Sequence, residues 1–297
     1  MSGPALGMTL PQFTGDPQRL IDTALRAEDM GLDSIWVFDH LWPLGGQRER
    51  PILEGWTALS YLAAATSRIR LGTLVTRSSL RHPAVVAKMI ATVGEIAPGR
   101  IVCGMGSGDE GSRDENEAFG IPYYTDERRT SQLASTVAVV AALLRGERVS
   151  HEDDFARLAN FPVSPRPERR PALWVGGNSE EARTLAARVA DGWNGWGGSA
   201  GTFAKRVAAV RKASAGRDLE ISWAGLVMLD ETDEAARARM GKRDPSGYLV
   251  GGPETVAAAL AERVAVGAMH LIATFPNAHE PHVLELLATR VRSLLGS

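Results

Sequence analysis

The sequence predicts a (β/α)8 TIM barrel with loop insertions, an α/β fold in which eight parallel strands alternate with helices. Short apolar runs alternate with amphipathic stretches along the chain, and no linker or change in composition divides it. Its 297 residues suit one such barrel, which typically needs roughly 250 residues. We therefore expect a single domain over residues 1–297, with a doubly wound open sheet as the alternative.

Eight short apolar runs have the length and composition of strands that are buried on both faces. In chain order these runs are 6–10, 34–38, 69–75, 100–104, 172–175, 192–196, 221–229 and 270–275. Consecutive strands of this kind, each followed by a helix, favour closure into a parallel barrel.

Stretches with apolar residues at helical spacing separate the runs. The first helix is predicted to begin after Asp16, with Pro17 at its first position, where a fixed φ and a missing N–H are tolerated. Further helices are predicted at 56–65, 83–97, 126–145, 180–190, 203–215, 231–240, 254–266 and 282–295. Residues 146–170 are predicted to form an irregular insertion, and 104–124 and 241–252 to form loops.

Composition argues against several classes of partner. The formal net charge is −2 and no run of Lys or Arg stands out, which disfavours nucleic acid and anionic membranes as main partners. No apolar segment approaches the roughly 20 residues that span a bilayer, and residues 1–13 lack a signal-peptide pattern. We therefore expect a cytoplasmic protein. The single cysteine, Cys103, excludes an intrachain disulfide and is predicted to be a buried core residue.

In such barrels the working groups lie on the loops that follow the strands. Asp39 and His40 follow the second strand, and histidine titrates near neutral pH and can transfer a proton. The alternative is a polar pair that merely opens a loop. Phe13, Trp42 and Trp196 would provide aromatic walls for a planar ligand at the barrel mouth.

Two glycine-rich turns could hold a phosphate group. One is Gly106-Ser107-Gly108 after the fourth strand, and the other is Gly176-Gly177-Asn178-Ser179 before a helix that begins at Glu180. Exposed backbone N–H groups and a helix N-terminus both favour anions. The alternatives are a simple tight turn and ordinary helix capping. A dinucleotide-binding fingerprint is rejected, because the glycines follow the fourth strand and no apolar helix start comes next.

No cluster of His, Asp or Glu has the spacing of a zinc or two-metal site, so we predict no catalytic metal. The sequence also lacks a nucleophile elbow and a catalytic cysteine setting.

The sequence resembles the luciferase-like monooxygenase superfamily, and within it the F420-dependent (deazaflavin) oxidoreductases. The order and spacing of six stretches carry the resemblance, namely 27–42, 68–76, 81–88, 99–108, 118–122 and 173–193. The resemblance implies a TIM-like barrel, often a homodimer, that binds coenzyme F420 or FMN at the strand C-termini.

The resemblance also assigns roles to residues. Asp39 would contact the deazaflavin ring and His40 would act in proton transfer. A non-proline cis peptide after the third strand would correspond, to within one residue, to the Thr73–Leu74 bond. The positions that match cofactor-binding residues of the family are Thr73, Leu74, Thr76, Gly106, Ser107, Gly108, Gly176, Gly177, Ser179 and Glu180.

Two departures from the family bear on the substrate. Asp109 stands where the F420-dependent glucose-6-phosphate dehydrogenases carry a catalytic Glu, and its side chain is shorter. Their phosphate-holding lysine after the sixth strand has no counterpart, since residues 194–200 contain no basic side chain. We therefore predict an F420-dependent oxidoreductase acting on an uncharged small molecule. The alternatives are an FMN-dependent monooxygenase served by a separate reductase, and a non-catalytic binding barrel.

Overall fold

The computed structural model describes residues 3–43, 48–276, 278 and 280–296. Its strands are β1 (Ala5–Thr9), β2 (Ser34–Val37), β3 (Arg70–Arg77), β4 (Ile101–Gly106), β5 (Val149–Glu152), β6 (Arg157–Phe161), β7 (Ala172–Gly176), β8 (Gly192–Trp196), β9 (Glu220–Leu229), β10 (Tyr248–Gly251) and β11 (His270–Thr274). The strands β1, β2, β3, β4, β7, β8, β9 and β11 pair in that order, all parallel, and β11 pairs back with β1. The predicted closed barrel is thereby confirmed, and the open sheet is excluded.

The helices are α1 (Pro17–Asp29), α2 (Gly55–Ala65), α3 (Pro83–Ile96), α4 (Arg113–Ala118), α5 (Asp126–Leu144), α6 (Glu180–Val189), α7 (Ala200–Ala213), α8 (Asp233–Met240), α9 (Pro253–Ala265), α10 (Pro281–Leu286) and α11 (Arg292–Gly296). A π-helical turn, Leu287–Val291, joins the last two. The predicted start of α1 is confirmed, because the Asp16 side chain accepts hydrogen bonds from the amides of Gln18 and Arg19.

Hydrophobic packing separates into two layers. Alternate strand residues face outward and pack against the helices, and the others fill the barrel interior, where they form a small separate cluster. The interior cluster consists of Trp36, Leu74, Val102, Trp174, Ala224 and Ile272. The rings of Trp36 and Trp174 lie 5.1 Å apart between centroids, so the middle of the barrel is filled by side chains.

A polar network occupies the base of the barrel, at the first residues of several strands. The ring of His270 contacts Glu220 Oε1 through Nδ1 at 2.9 Å and Ser34 Oγ through Nε2 at 2.6 Å. Arg70 donates two hydrogen bonds to the Glu220 carboxylate, at 2.8 and 3.0 Å. These contacts tie β2, β3, β9 and β11 together at the end opposite the predicted site.

The prediction of irregular structure is partly wrong for three segments. The insertion at 146–170 contains an antiparallel hairpin of β5 and β6, and the loop at 241–252 contains β10, which pairs with β9. The loop at 104–124 contains a 3-10 turn, Glu110–Ser112, and the helix α4. The prediction for Cys103 is confirmed, since its thiol is buried, and burial raises its pKa to about 12. Within the described ranges, no helix is both long and apolar enough to cross a bilayer.

Candidate active site

A cavity of about 1770 Å³ opens at the C-terminal ends of the barrel strands. Most of the predicted site residues line it together. These are Phe13, His40, Leu74, Gly106, Ser107, Gly108, Asp109, Gly176, Gly177, Ser179 and Trp196. The acid–imidazole loop and both glycine turns therefore meet at one rim, as the barrel topology requires.

Five predicted residues lie outside the cavity wall. Thr73 and Thr76 are buried behind it, where Trp56 Nε1 donates to Thr76 Oγ1 and Thr76 donates to Thr73 Oγ1. Glu180 is an exposed first residue of α6, away from the wall. Trp42 packs edge to face against Phe119, at 6.1 Å between ring centroids. Asp39, the fifth, is described below.

His40 lines the cavity, and its ring is hydrogen-bonded to a residue of α4. Its Nδ1 lies 2.9 Å from Oε2 of Glu115, so Nδ1–H donates to that carboxylate. The amides of Leu41 and Trp42 also donate to Glu115 Oε1. Because Nδ1 is engaged, Nε2 is the ring nitrogen that remains for a ligand.

Glu115 is ionised despite its burial. Burial alone would raise the pKa of this carboxyl, but the hydrogen bonds from His40 and the Leu41 amide, together with the charge of Arg77, outweigh it and lower the pKa. Arg77 Nη2 lies 3.0 Å from Glu115 Oε1, and Arg77 Nη1 donates to Asn116 Oδ1 at 2.9 Å. The short helix α4 is thus attached to β3 by paired charges.

Asp39 lies beneath the wall and does not face the cavity. Its carboxylate receives two hydrogen bonds from Arg81, at 2.7 and 2.9 Å, and one from the Arg77 amide at 3.1 Å. Arg81 also donates to Glu54, the N-cap of α2. With its side chain 0% exposed, Asp39 fixes the end of β2, and the predicted contact with a ring stays a prediction.

The wall beside His40 contains a β-bulge in β3, where the register with β4 shifts between Thr73 and Thr76. The non-proline cis bond is Leu74–Val75, one residue beyond Thr73–Leu74 and within the one-residue range of the prediction. Val75 projects toward the glycine turns, because a Cβ at Gly106 would lie 2.4 Å from Val75 Cγ2 and one at Gly176 would lie 2.6 Å from Cγ1. These two glycines make room for the bulge.

The turn after β7 has the features of an anion site. Gly177 adopts φ +139°, which only glycine tolerates readily, and Ser179 caps α6 through a hydrogen bond from the Ala182 amide. The first N–H groups of α6 have no acceptor within the helix and carry its positive dipole end. Gly108, in the neighbouring turn after β4, adopts φ +73°. The residues present therefore fit a phosphate-bearing ligand.

Sequence reasoning missed Glu115, Arg77 and Arg81. Arg81 stands in one of the family-like stretches, but its role depends on Asp39, 42 positions away. Glu115 gave no local signal, since α4 is too polar to predict as a helix. Among the described residues, no group of three or more His, Cys, Asp or Glu could hold a metal ion.

The comparisons with known proteins agree with this architecture. The profile of the luciferase-like monooxygenase family matches residues 3–246, and the chain belongs to that family. A curated relative, the F420-dependent glucose-6-phosphate dehydrogenase of Kineococcus radiotolerans, is 35% identical over 181 residues, which are 60% of this chain and 52% of that protein. The matched region thus spans about half the length of this relative.

Two solved structures share the whole fold. An F420-dependent secondary alcohol dehydrogenase in complex with an F420–acetone adduct has a TM-score of 0.85 at 18% identity, covering 99% of both chains. A monooxygenase from Streptomyces bottropensis has a TM-score of 0.78 at 22% identity, covering 98% of this chain and 97% of that one. At these identities the likeness establishes the fold alone.

Proposed function

We propose that the protein is an F420-dependent oxidoreductase that transfers a hydride between the deazaflavin and an uncharged organic substrate. One observation carries the proposal: His40 lines the cavity with Nδ1 committed to Glu115, beside the Leu74–Val75 bulge and two adjoining glycine turns. The names of relatives such as the glucose-6-phosphate dehydrogenase support the choice of cofactor.

The residues that would hold the cofactor divide into two groups. The bulge at Leu74 and Val75 would support the planar ring, because it presents apolar side chains to the cavity. Ser179 and the first turn of α6 would bind a phosphate, with Ser107 and Gly108 beside them. When bound, the cofactor supplies the hydride donor or acceptor.

His40 would hold the substrate's proton at Nε2. Its Nδ1–H donates to Glu115, which fixes both the tautomer and the ring orientation. Because Glu115 stays ionised, it remains an acceptor for the Nδ1–H of His40. Phe13 and Trp196 line the same cavity and would limit access of water.

The decisive experiment is a titration of the purified protein with F420 and, separately, with FMN, monitored by fluorescence. We expect micromolar affinity for F420 and at least tenfold weaker binding of FMN. The double variant Gly108→Ala/Gly177→Ala tests the role of the two turns. Both glycines have positive φ, which a residue with a Cβ adopts only with strain. A preference for FMN would replace this proposal with the flavin-dependent monooxygenase, and affinity for neither would favour a binding barrel.

We also propose that the protein acts as a homodimer in the cytoplasm. Both statements stay predictions, and sedimentation analysis tests the first of them.

A further inference from the structure

We propose that Thr9 and Thr274 form a paired-hydroxyl subsite on the cavity floor that binds the oxygen of a neutral alcohol or ketone substrate. The inference rests on the proposed function only in treating the occupant as the molecule that exchanges the hydride. The subsite itself is argued from burial, strand register and unused hydrogen-bonding capacity.

Strand register brings the two threonines side by side. The pairing of β1 with β11 ends at Met8 and Ala273, and Thr9 and Thr274 are the next residue on each strand. Neighbouring strands lie roughly 4.8 Å apart, which places the two side chains in contact range. Both line the cavity.

Both side chains point into the barrel, just above the interior cluster. On β11, Thr274 alternates in phase with Ile272, which belongs to the interior cluster, and on β9 its partner Leu226 alternates with Ala224 of that cluster. Leu74 contributes from β3. The floor is therefore two hydroxyls set between aliphatic side chains, with no charged residue among these four positions.

The Thr274 hydroxyl has unused hydrogen-bonding capacity. Thr274 is 8% exposed, and its Oγ1 has no partner among the described residues. Thr9 is 1% exposed, and its side chain lines the same cavity. A buried hydroxyl without a partner is costly in free energy, so the Thr274 hydroxyl, with that of Thr9 nearby, is suited to bind a polar ligand atom.

The chemistry of the pair selects the ligand. A threonine hydroxyl both donates and accepts, so it pairs equally well with a carbonyl oxygen, which only accepts, and with an alcohol, which does both. The pair therefore suits both oxidation states of a two-electron couple between an alcohol and a ketone. An anionic or cationic group would find no opposite charge on this floor and would lose its hydration.

His40 follows the strand β2, which neighbours this subsite. Thr9 pairs with Trp36 of β2, and His40 follows the end of the same strand. A substrate oxygen bound by Thr9 and Thr274 would therefore lie below the part of the cavity wall that contains His40, the proposed proton carrier.

The test compares three probes of one shape, cyclohexanone, cyclohexanol and methylenecyclohexane, by ligand-observed NMR titration with and without F420. We expect the wild type to bind both oxygenated probes at least tenfold more tightly than the hydrocarbon. The isosteric variants Thr274→Val and Thr9→Val should each lose about fivefold to tenfold of that preference, the effect of one hydrogen bond. Thr274→Ser, which retains the hydroxyl, should keep it.

The outcomes separate this proposal from the preceding one. Equal binding of the three probes by the wild type, or valine variants that keep the preference, would overturn the subsite. Loss of F420 affinity in the valine variants, with the probe preference intact, would assign the hydroxyls to cofactor binding. That result would also overturn the proposed substrate subsite. A protein that binds no F420 contradicts the proposed function, while the probe comparison on the cofactor-free protein still decides the subsite.

Discussion

The Nδ1 atom of His40 lies 2.9 Å from Oε2 of Glu115, although the two residues are 75 positions apart. This contact makes the proposed proton carrier depend on a six-residue helix whose buried face is polar. Both sides of the pair can be tested by substitution, because only His40 lines the cavity.

Replacing His40 with Ala should lower the rate of reduced-F420 oxidation by a ketone substrate by about 10²-fold to 10⁴-fold, the range for loss of a general acid or base. Stopped-flow absorbance of the deazaflavin measures the rate. The matched control is His151→Ala on the β5–β6 hairpin, which should stay within twofold because His151 contacts Ser135 and Asp153 instead. An undiminished rate in His40→Ala would remove this residue from the chemistry.

Glu115→Gln should lower the same rate by about tenfold to 100-fold, because a small misplacement of the imidazole is costly. F420 affinity should change by less than threefold, since Glu115 lies outside the cavity wall. Nitrogen NMR of the labelled imidazoles should show that the neutral His40 ring no longer carries its proton on Nδ1 alone. A variant with an unchanged tautomer and rate would leave Glu115 a structural residue only.

Arg81→Ala should destabilise the protein by about 3–5 kcal/mol, because it leaves the buried carboxylate of Asp39 without its bidentate partner. Urea unfolding followed by circular dichroism measures the change. Arg157→Ala removes a pair whose side chains are 79% and 72% exposed, so it should cost about 0–1 kcal/mol. Similar costs for both variants would contradict the structural role given to Asp39.

Stability should fall in acid through Glu220 at the barrel base. Burial would raise the pKa of this carboxyl, but hydrogen bonds from His270 and Arg70 lower it to about 2 from an ordinary 4.5. The lowered pKa stabilises the folded state above pH 4.5, and this contribution is lost as the pH falls toward 2. Between about pH 6 and pH 3.5, the wild type should lose about 1 kcal/mol more unfolding free energy than Glu220→Gln. Parallel losses in the two proteins would show that Glu220 does not contribute.

Gly106→Ala should destabilise the protein by about 1–3 kcal/mol, because its Cβ would lie 2.4 Å from Val75 Cγ2. Val75→Ala removes that methyl group, so the double variant should recover most of the loss. Thermal melting of the two single variants and the double variant gives the coupling. Additive effects would contradict the packing of the bulge against this glycine.

The barrel was predictable because each of its strands is a buried apolar run, and burial on both faces leaves a strong sequence signal. The β5–β6 hairpin was missed because Leu158 is its one buried strand residue, so no alternation marks it. Helix α4 was missed because the residues it buries, Glu115 and Asn116, are polar.

The rim could be predicted from strand ends, but the partners of its residues could not. The turns around Gly106 and Gly176 were found because glycine is a local signal. Asp39 was expected to face a ligand, whereas Arg81 holds it below the wall. Such pairings are set by contacts between distant segments, and spacing within one segment does not reveal them.

The tilted, closely packed indoles of Trp36 and Trp174 inside the barrel also bear on kinetics. Since they fill the middle of the barrel above a hydrogen-bonded base, reactants come and go through the rim alone. Two reactants that share one cavity opening cannot exchange independently, because the molecule that binds second blocks the release of the first. The two reactants should therefore leave in a fixed order, the one nearer the rim first.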